Sequence, residues 1–132
     1  MKIYTSYFGN AKKLQEANIE MVNIARYKPR YFSGFSLLTV APLPFMLSED
    51  MTEEQYVEHY NRLVLEKLDI NRFLKSLEAL SVNKDVALCC YEKPGQFCHR
   101  HLLAEWLNKQ RGLDIKEFGV KEKVVEEAPT LF

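Results

Sequence analysis

The chain has little of what would mark it for a specialised class. Its 18 basic and 18 acidic residues cancel. No surplus of positive charge is therefore available to hold polyanions or anionic membranes over a broad surface. No stretch approaches the ~20 apolar residues of a membrane span, and MKIYTSYFGN at the start has no apolar signal run. There are only three cysteines, an odd count with Cys89 and Cys90 adjacent, which is a poor basis for a disulfide framework. Glycine and proline, five of each, form no low-complexity tract. These absences lead us to expect a cytoplasmic protein with reduced thiols.

What is present can build a core. With 132 residues, 47% of them hydrophobic, the expectation is one domain over 1–132, residues 120–132 forming a charged surface tail. KIYTSYF (2–8) is rich in β-branched and aromatic residues and stops at Gly9-Asn10. A polar helical stretch (11–18) and a strand over IEMVNIA (19–25) follow. Residues 27–50 show no period and read as a long loop, a segment that is often functional in a small domain. Thr52 with Gln55 forms a capping box ahead of a helical face that includes Tyr56, Tyr60 and Val64. Asp69 caps a second helix with Phe73 and Leu77 on its apolar face. DVALCCY (85–91) reads as a central strand covered on both faces. A helix over 98–111, stopped by Gly112, and a last strand in DIKEFG complete the order. Alternation of strands and helices predicts an α/β fold: a three-layer domain with a mostly parallel sheet of about four to five strands flanked by helices.

Chemistry-bearing side chains concentrate in CCYEKPGQFCHRH (89–101). Sites in such sheets form beyond the carboxyl ends of strands, where loops enter helix N-termini. Strand alternation sends Cys90 and Glu92 to one side and Cys89 to the other. On the helix, His99 and Arg100 sit at the N-terminal rim of the core stripe Leu102, Leu103, Trp106 and Leu107, while His101 lies on the wet side. Cys98 opens the helix, where free N–H groups, the macrodipole and Arg100 favour an anion or a thiolate. The structural alternatives are a core Cys90, a capping Cys98 and a Glu92–Arg100 salt bridge. A zinc site lacks CxxC or HxxxH spacing, so no metal is assigned, although Cys90, Cys98 and His99 could converge with one outside ligand. No cofactor is called for.

The run L-x-C-x-E (Leu88, Cys90, Glu92), a short polar loop, C-H-R (Cys98, His99, Arg100) and LLAEWL resembles the domain of unknown function 488 family, small α/β proteins of bacteria and their phages. The likeness extends to IYTSYFGN and to I-A-R-x-x-P, residues 24–29. It implies that Cys90, Glu92, Cys98, His99, Arg100 and Arg26 share one surface, and it implies no particular reaction. Many members carry Gly-His-Ser after the first strand and Asp two places before the Arg. Here Ser6-Tyr7-Phe8 and Ile24 stand there, so a mechanism needing that His or Asp does not transfer.

A second patch, ARYKPRYFSGF (25–35), interleaves Arg26, Lys28 and Arg30 with aromatics, a pattern suited to phosphate contacts and base stacking. An ordinary loop packed on the domain is the alternative. Together these features predict a polar crevice at the C-terminal edge of the sheet that binds a small anionic, nucleotide- or phosphate-like ligand. Arg26 and Arg100 would clamp the anion, and Ser6 and Tyr7 would line the crevice. Glu92, Cys98, His99 and Cys90 are the candidate catalytic groups for hydrolysis or group transfer. A non-catalytic nucleic-acid or protein binding module and a Cys/His metal-binding protein are the alternatives; no membrane partner is expected and the oligomeric state is open.

Overall fold

The most apolar strand lies at the centre. In the computed structural model, which describes residues 1–92 and 97–120, the chain runs β1 (Ile3–Tyr7), α1 (Ala11–Glu16), β2 (Ile19–Asn23), β3 (Phe35–Ser36), α2 (Glu53–Tyr60), α3 (Ile70–Ser81), β4 (Asp85–Cys90), α4 (His99–Arg111) and β5 (Lys116–Glu117). Of the expected tail, residues 120–132, only the exposed Val120 falls within the described residues. The sheet order is β3-β2-β4-β1-β5 and every pairing is parallel. β4 therefore has neighbours on both sides, and the side chains from Val86 to Cys90 are all buried.

Two apolar layers make this a three-layer α/β domain. On one face α1 contributes Leu14, with Phe8 and Phe32, against Ala87 and Cys89. On the other, Tyr60, Phe73, Leu77, Leu103 and Leu107 cover Val22, Ile24, Val86 and Leu88. Among the described residues no helix is long and apolar enough to cross a membrane.

Local chemistry accounts for the boundaries. Thr52 and Gln55 close the capping box, and Asp69 accepts from the Arg72 N–H at 3.1 Å. α2 continues into one π-turn, Asn61–Leu65, closed by Glu66 N–H donating to the Asn61 carbonyl at 2.9 Å. Gly112, at φ 62°, takes the left-handed position that ends α4. The long segment after β2 differs from the expectation of a structureless loop. It contains β3, whose Phe35 and Ser36 pair with Val22 and Asn23, and two 3-10 turns, Leu38–Val40 and Pro44–Leu47. A two-residue strand with both residues exposed leaves no alternation to detect.

α3 ends unusually. Its C-cap, Val82, has φ 46° and ψ 58°, a left-handed conformation that a β-branched residue adopts at a cost of roughly 1–2 kcal/mol. Val82 is 73% exposed, so its side chain gains little from packing in return. Val82→Asn should therefore raise the urea midpoint, with stability up by about 1 kcal/mol and the m-value unchanged. An unchanged or lower midpoint would show that Val82 contributes packing the geometry does not reveal.

Candidate functional site

The site begins where β2 stops. Asn23 ends the strand by bonding its own backbone: Oδ1 accepts from the Ala25 N–H at 2.9 Å and Nδ2 donates to the Ala25 carbonyl at 3.1 Å. The chain turns there and continues towards β3 at the sheet edge. Its neighbour β4 leaves in the opposite sense, through α4 to β5 beyond β1. Adjacent parallel strands whose connections diverge leave a crevice at their carboxyl ends, the topological switch point.

A pocket of about 240 Å³ occupies it. Ala25, Arg26 and Tyr27 come from the end of β2, and Cys90, Tyr91 and Glu92 from the end of β4. Phe97, Cys98 and His99 enter from the start of α4, Tyr56 from α2, and Pro42 and Leu47 from the long connection. Arg26 Nε donates to the Pro42 carbonyl at 2.9 Å, and Nη2 makes a long contact with the Leu38 carbonyl at 3.5 Å. The walls are aromatic: Tyr56 meets Phe97 edge-on with centroids 5.1 Å apart, and the Tyr91 hydroxyl donates to the Tyr27 carbonyl. Burial, reinforced by the negative charge of Glu92, pushes the Tyr56 hydroxyl above its ordinary pKa, so it stays a donor.

Three chemical groups that border the pocket, on His99, Cys98 and Cys90, are buried. His99, 5% exposed, places Nε2 2.8 Å from the Ile24 carbonyl, which can only accept. Nε2 therefore carries the proton and Nδ1 the lone pair, 3.8 Å from Cys98 Sγ. Burial outweighs that hydrogen bond and, with the nearby Arg100 charge, holds the imidazole pKa down to about 4, so it is neutral at pH 7. Cys98, in extended backbone at the N-cap of α4, is bonded to Cys90 through sulfur at 2.01 Å. The expectation of reduced thiols is corrected here: strand end and helix start bring to one point two cysteines that are separated by eight positions. The free thiol is Cys89, on the α1 side, whose pKa burial pushes up to about 12.

Arg100 is not at the pocket, and its carboxylate partner is not Glu92. The guanidinium, with no exposed surface, donates from Nε and Nη2 to the two oxygens of Glu117, each at 3.0 Å. Nη1 donates to Cys90 Sγ at 3.0 Å, and Thr5 Oγ1 donates to Glu117 Oε1 at 2.6 Å. The first turn of α4 lies over β1 and β5, where Thr5 pairs with Glu117, so Arg100 points away from the exposed Glu92. Ser6 and Tyr7 do not border the pocket either. β1 is one strand removed from the β2–β4 divergence, and a 3-10 turn follows it at once. There Ser6 Oγ accepts from Asn10 Nδ2 at 3.2 Å, and the Tyr7 ring covers Gly9. Of the residues expected to line a common crevice, the pocket thus gathers Arg26, Cys90, Glu92, Cys98 and His99.

The buried pair should respond to substitution in a characteristic way. Arg100→Met leaves the largely enclosed Glu117, its side chain 10% exposed, without its cation and should cost about 3 kcal/mol in urea unfolding, whereas Arg100→Met with Glu117→Leu should recover most of that loss. Equal losses in the single and double variants would show that the pair is not the unit of stability.

No curated protein matches the chain, and no solved structure matches it. The family model DUF488-N3a, described as the active DUF488-N3 subclade, matches residues 13–111 of the 132. That span runs from α1 to the last residue of α4 and so takes in every residue bordering the pocket. The chain belongs to the DUF488 family.

Proposed function

We propose that the pocket between β2 and β4 binds a nucleotide-class ligand, its ring between aromatic walls and its phosphate at Arg26. The observation that carries this reading is the juxtaposition of Arg26 and Glu92 in one aromatic pocket. A simple anion attracted by Arg26 would be opposed by Glu92. A ligand with an anionic group at one end and N–H donors at the other satisfies both, and nucleotides have that pattern. A volume of about 240 Å³ suits one base-sized ring rather than an extended cofactor.

The loop beside the pocket supports a second reading, in which the nucleotide belongs to a single strand. Tyr27, Tyr31 and Phe35 are 64%, 74% and 52% exposed, with exposed Lys28 and Arg30 among them. Exposed rings alternating with cations form a stacking surface that tolerates any base. The description of the matched subclade as active favours a reaction over simple binding. Glu92 is then the base or orienting carboxylate for hydrolysis or transfer.

Calorimetry with nucleoside 5′-monophosphates tests the proposal. Wild-type protein should bind at least one of them, and Arg26→Met should weaken it roughly tenfold to a hundredfold, the value of a charged hydrogen bond. The corresponding nucleoside should bind wild type and variant alike. Glu92→Gln should retain phosphate-dependent binding and abolish any turnover. Binding that ignores Arg26, or none with any monophosphate or short single strand, would refute the assignment.

A further inference from the structure

Cys90 Sγ, Cys98 Sγ and a ring nitrogen of His99 lie within 4.8 Å of one another, and all three residues are buried. Nucleotide binding makes no use of this set. Zinc bound tetrahedrally at about 2.3 Å from sulfur and 2.0–2.1 Å from nitrogen holds its ligand atoms roughly 3.5–3.8 Å apart. Cys98 Sγ and His99 Nδ1 are already 3.8 Å apart.

The surroundings fit a metal as well. Because the Ile24 carbonyl takes the Nε2 proton at 2.8 Å, Nδ1 presents its lone pair to the sulfurs. A histidine oriented through its far nitrogen by a backbone carbonyl is the usual arrangement in metal sites. Arg100 Nη1 donates to Cys90 Sγ at 3.0 Å, a bond that favours the thiolate. Two thiolates and a neutral imidazole around a divalent ion bring no net charge into the buried position. The soft donors select zinc over magnesium or calcium.

We infer that the reduced protein binds one zinc ion through Cys90 Sγ, Cys98 Sγ and His99 Nδ1, with a fourth coordination position facing the pocket. All three residues border that pocket, which gives the open position its direction. The sulfur–sulfur bond must first be cleaved. A thiol reductant supplies two electrons and two protons and becomes its own disulfide; a phosphine becomes its oxide, with water supplying the oxygen and the protons. Zinc then displaces both thiol protons to solvent. The α-carbons of Cys90 and Cys98 stand 7.4 Å apart, so rotation of the side chains opens room for the ion. The site stands independently of nucleotide binding, which the oxidised protein reports without metal.

The test uses the full chain, reduced with a phosphine under anaerobic conditions and titrated with Co²⁺ and then Zn²⁺. One equivalent of Co²⁺ should give the intense visible bands of tetrahedral geometry with a thiolate charge-transfer band, and Zn²⁺ should bleach them. Cys90→Ser and Cys98→Ser should abolish the spectrum and His99→Ala should weaken binding at least tenfold, while Cys89→Ala and His101→Ala leave it unchanged. X-ray absorption on the wild-type zinc complex, which needs no variant to fold, should show two sulfur and two lighter neighbours. Weak octahedral bands, a spectrum that survives Cys98→Ser, or a first shell without sulfur would overturn the assignment.

Discussion

The fully buried guanidinium of Arg100 is the constraint from which the geometry of the site follows. A charge without access to water is tolerated only when its partners saturate it. Those partners come from different elements: both oxygens of Glu117 on β5 and the Cys90 sulfur at the end of β4, with Thr5 on β1 completing the carboxylate. One side chain thus fixes the first turn of α4 against the sheet. Cys98 and His99, the two residues preceding it, are placed by the same contact. The pair's contribution is positional more than energetic, because apolar residues of similar volume can replace a buried ion pair with little loss.

The second determinant is topological. Because β4 inserts between β2 and β1, the chain leaving β2 and the chain leaving β4 part in opposite directions. Parallel strands aim their carboxyl ends at one edge, so the divergence falls where loops are richest in polar groups. Asn23 sharpens it by turning the backbone at Ala25 and tying it to Ser36 through Nδ2 at 3.0 Å. Arg26 then reaches the pocket with its Nε held by the Pro42 carbonyl, which limits the conformational entropy it loses on meeting a ligand.

Much of this was legible in the sequence. The apolar run of β4, the Thr52–Gln55 capping box, the Asp69 cap and the alternation of strands with helices gave the fold class, and strand and helix periods separated Cys89 and His101 from their neighbours. Hidden were features that depend on lateral strand order. Ser6 and Tyr7 close β1 much as Arg26 follows the end of β2, yet β1 lies on the far side of β4 from the divergence. Glu117 escaped notice because a two-residue strand carries no readable alternation, although an acid flanked by Lys116 and Phe118 is the residue that turns towards α4. Tyr56 reads as core by its period; it does pack against the core, stacked on Tyr60, and its pocket-facing side, near the start of α2, is what the period does not reveal.

The central claim is that ligand recognition occurs where β2 and β4 diverge. Amide chemical-shift mapping of the full chain during titration with a nucleoside monophosphate tests it most directly. The account predicts shifts that cluster at residues 24–27, 90–92 and 97–99, with little change at α3 or the amino end of the sheet. Shifts confined to another surface, such as the hollow bordered by Asp69 and Arg72, would contradict it.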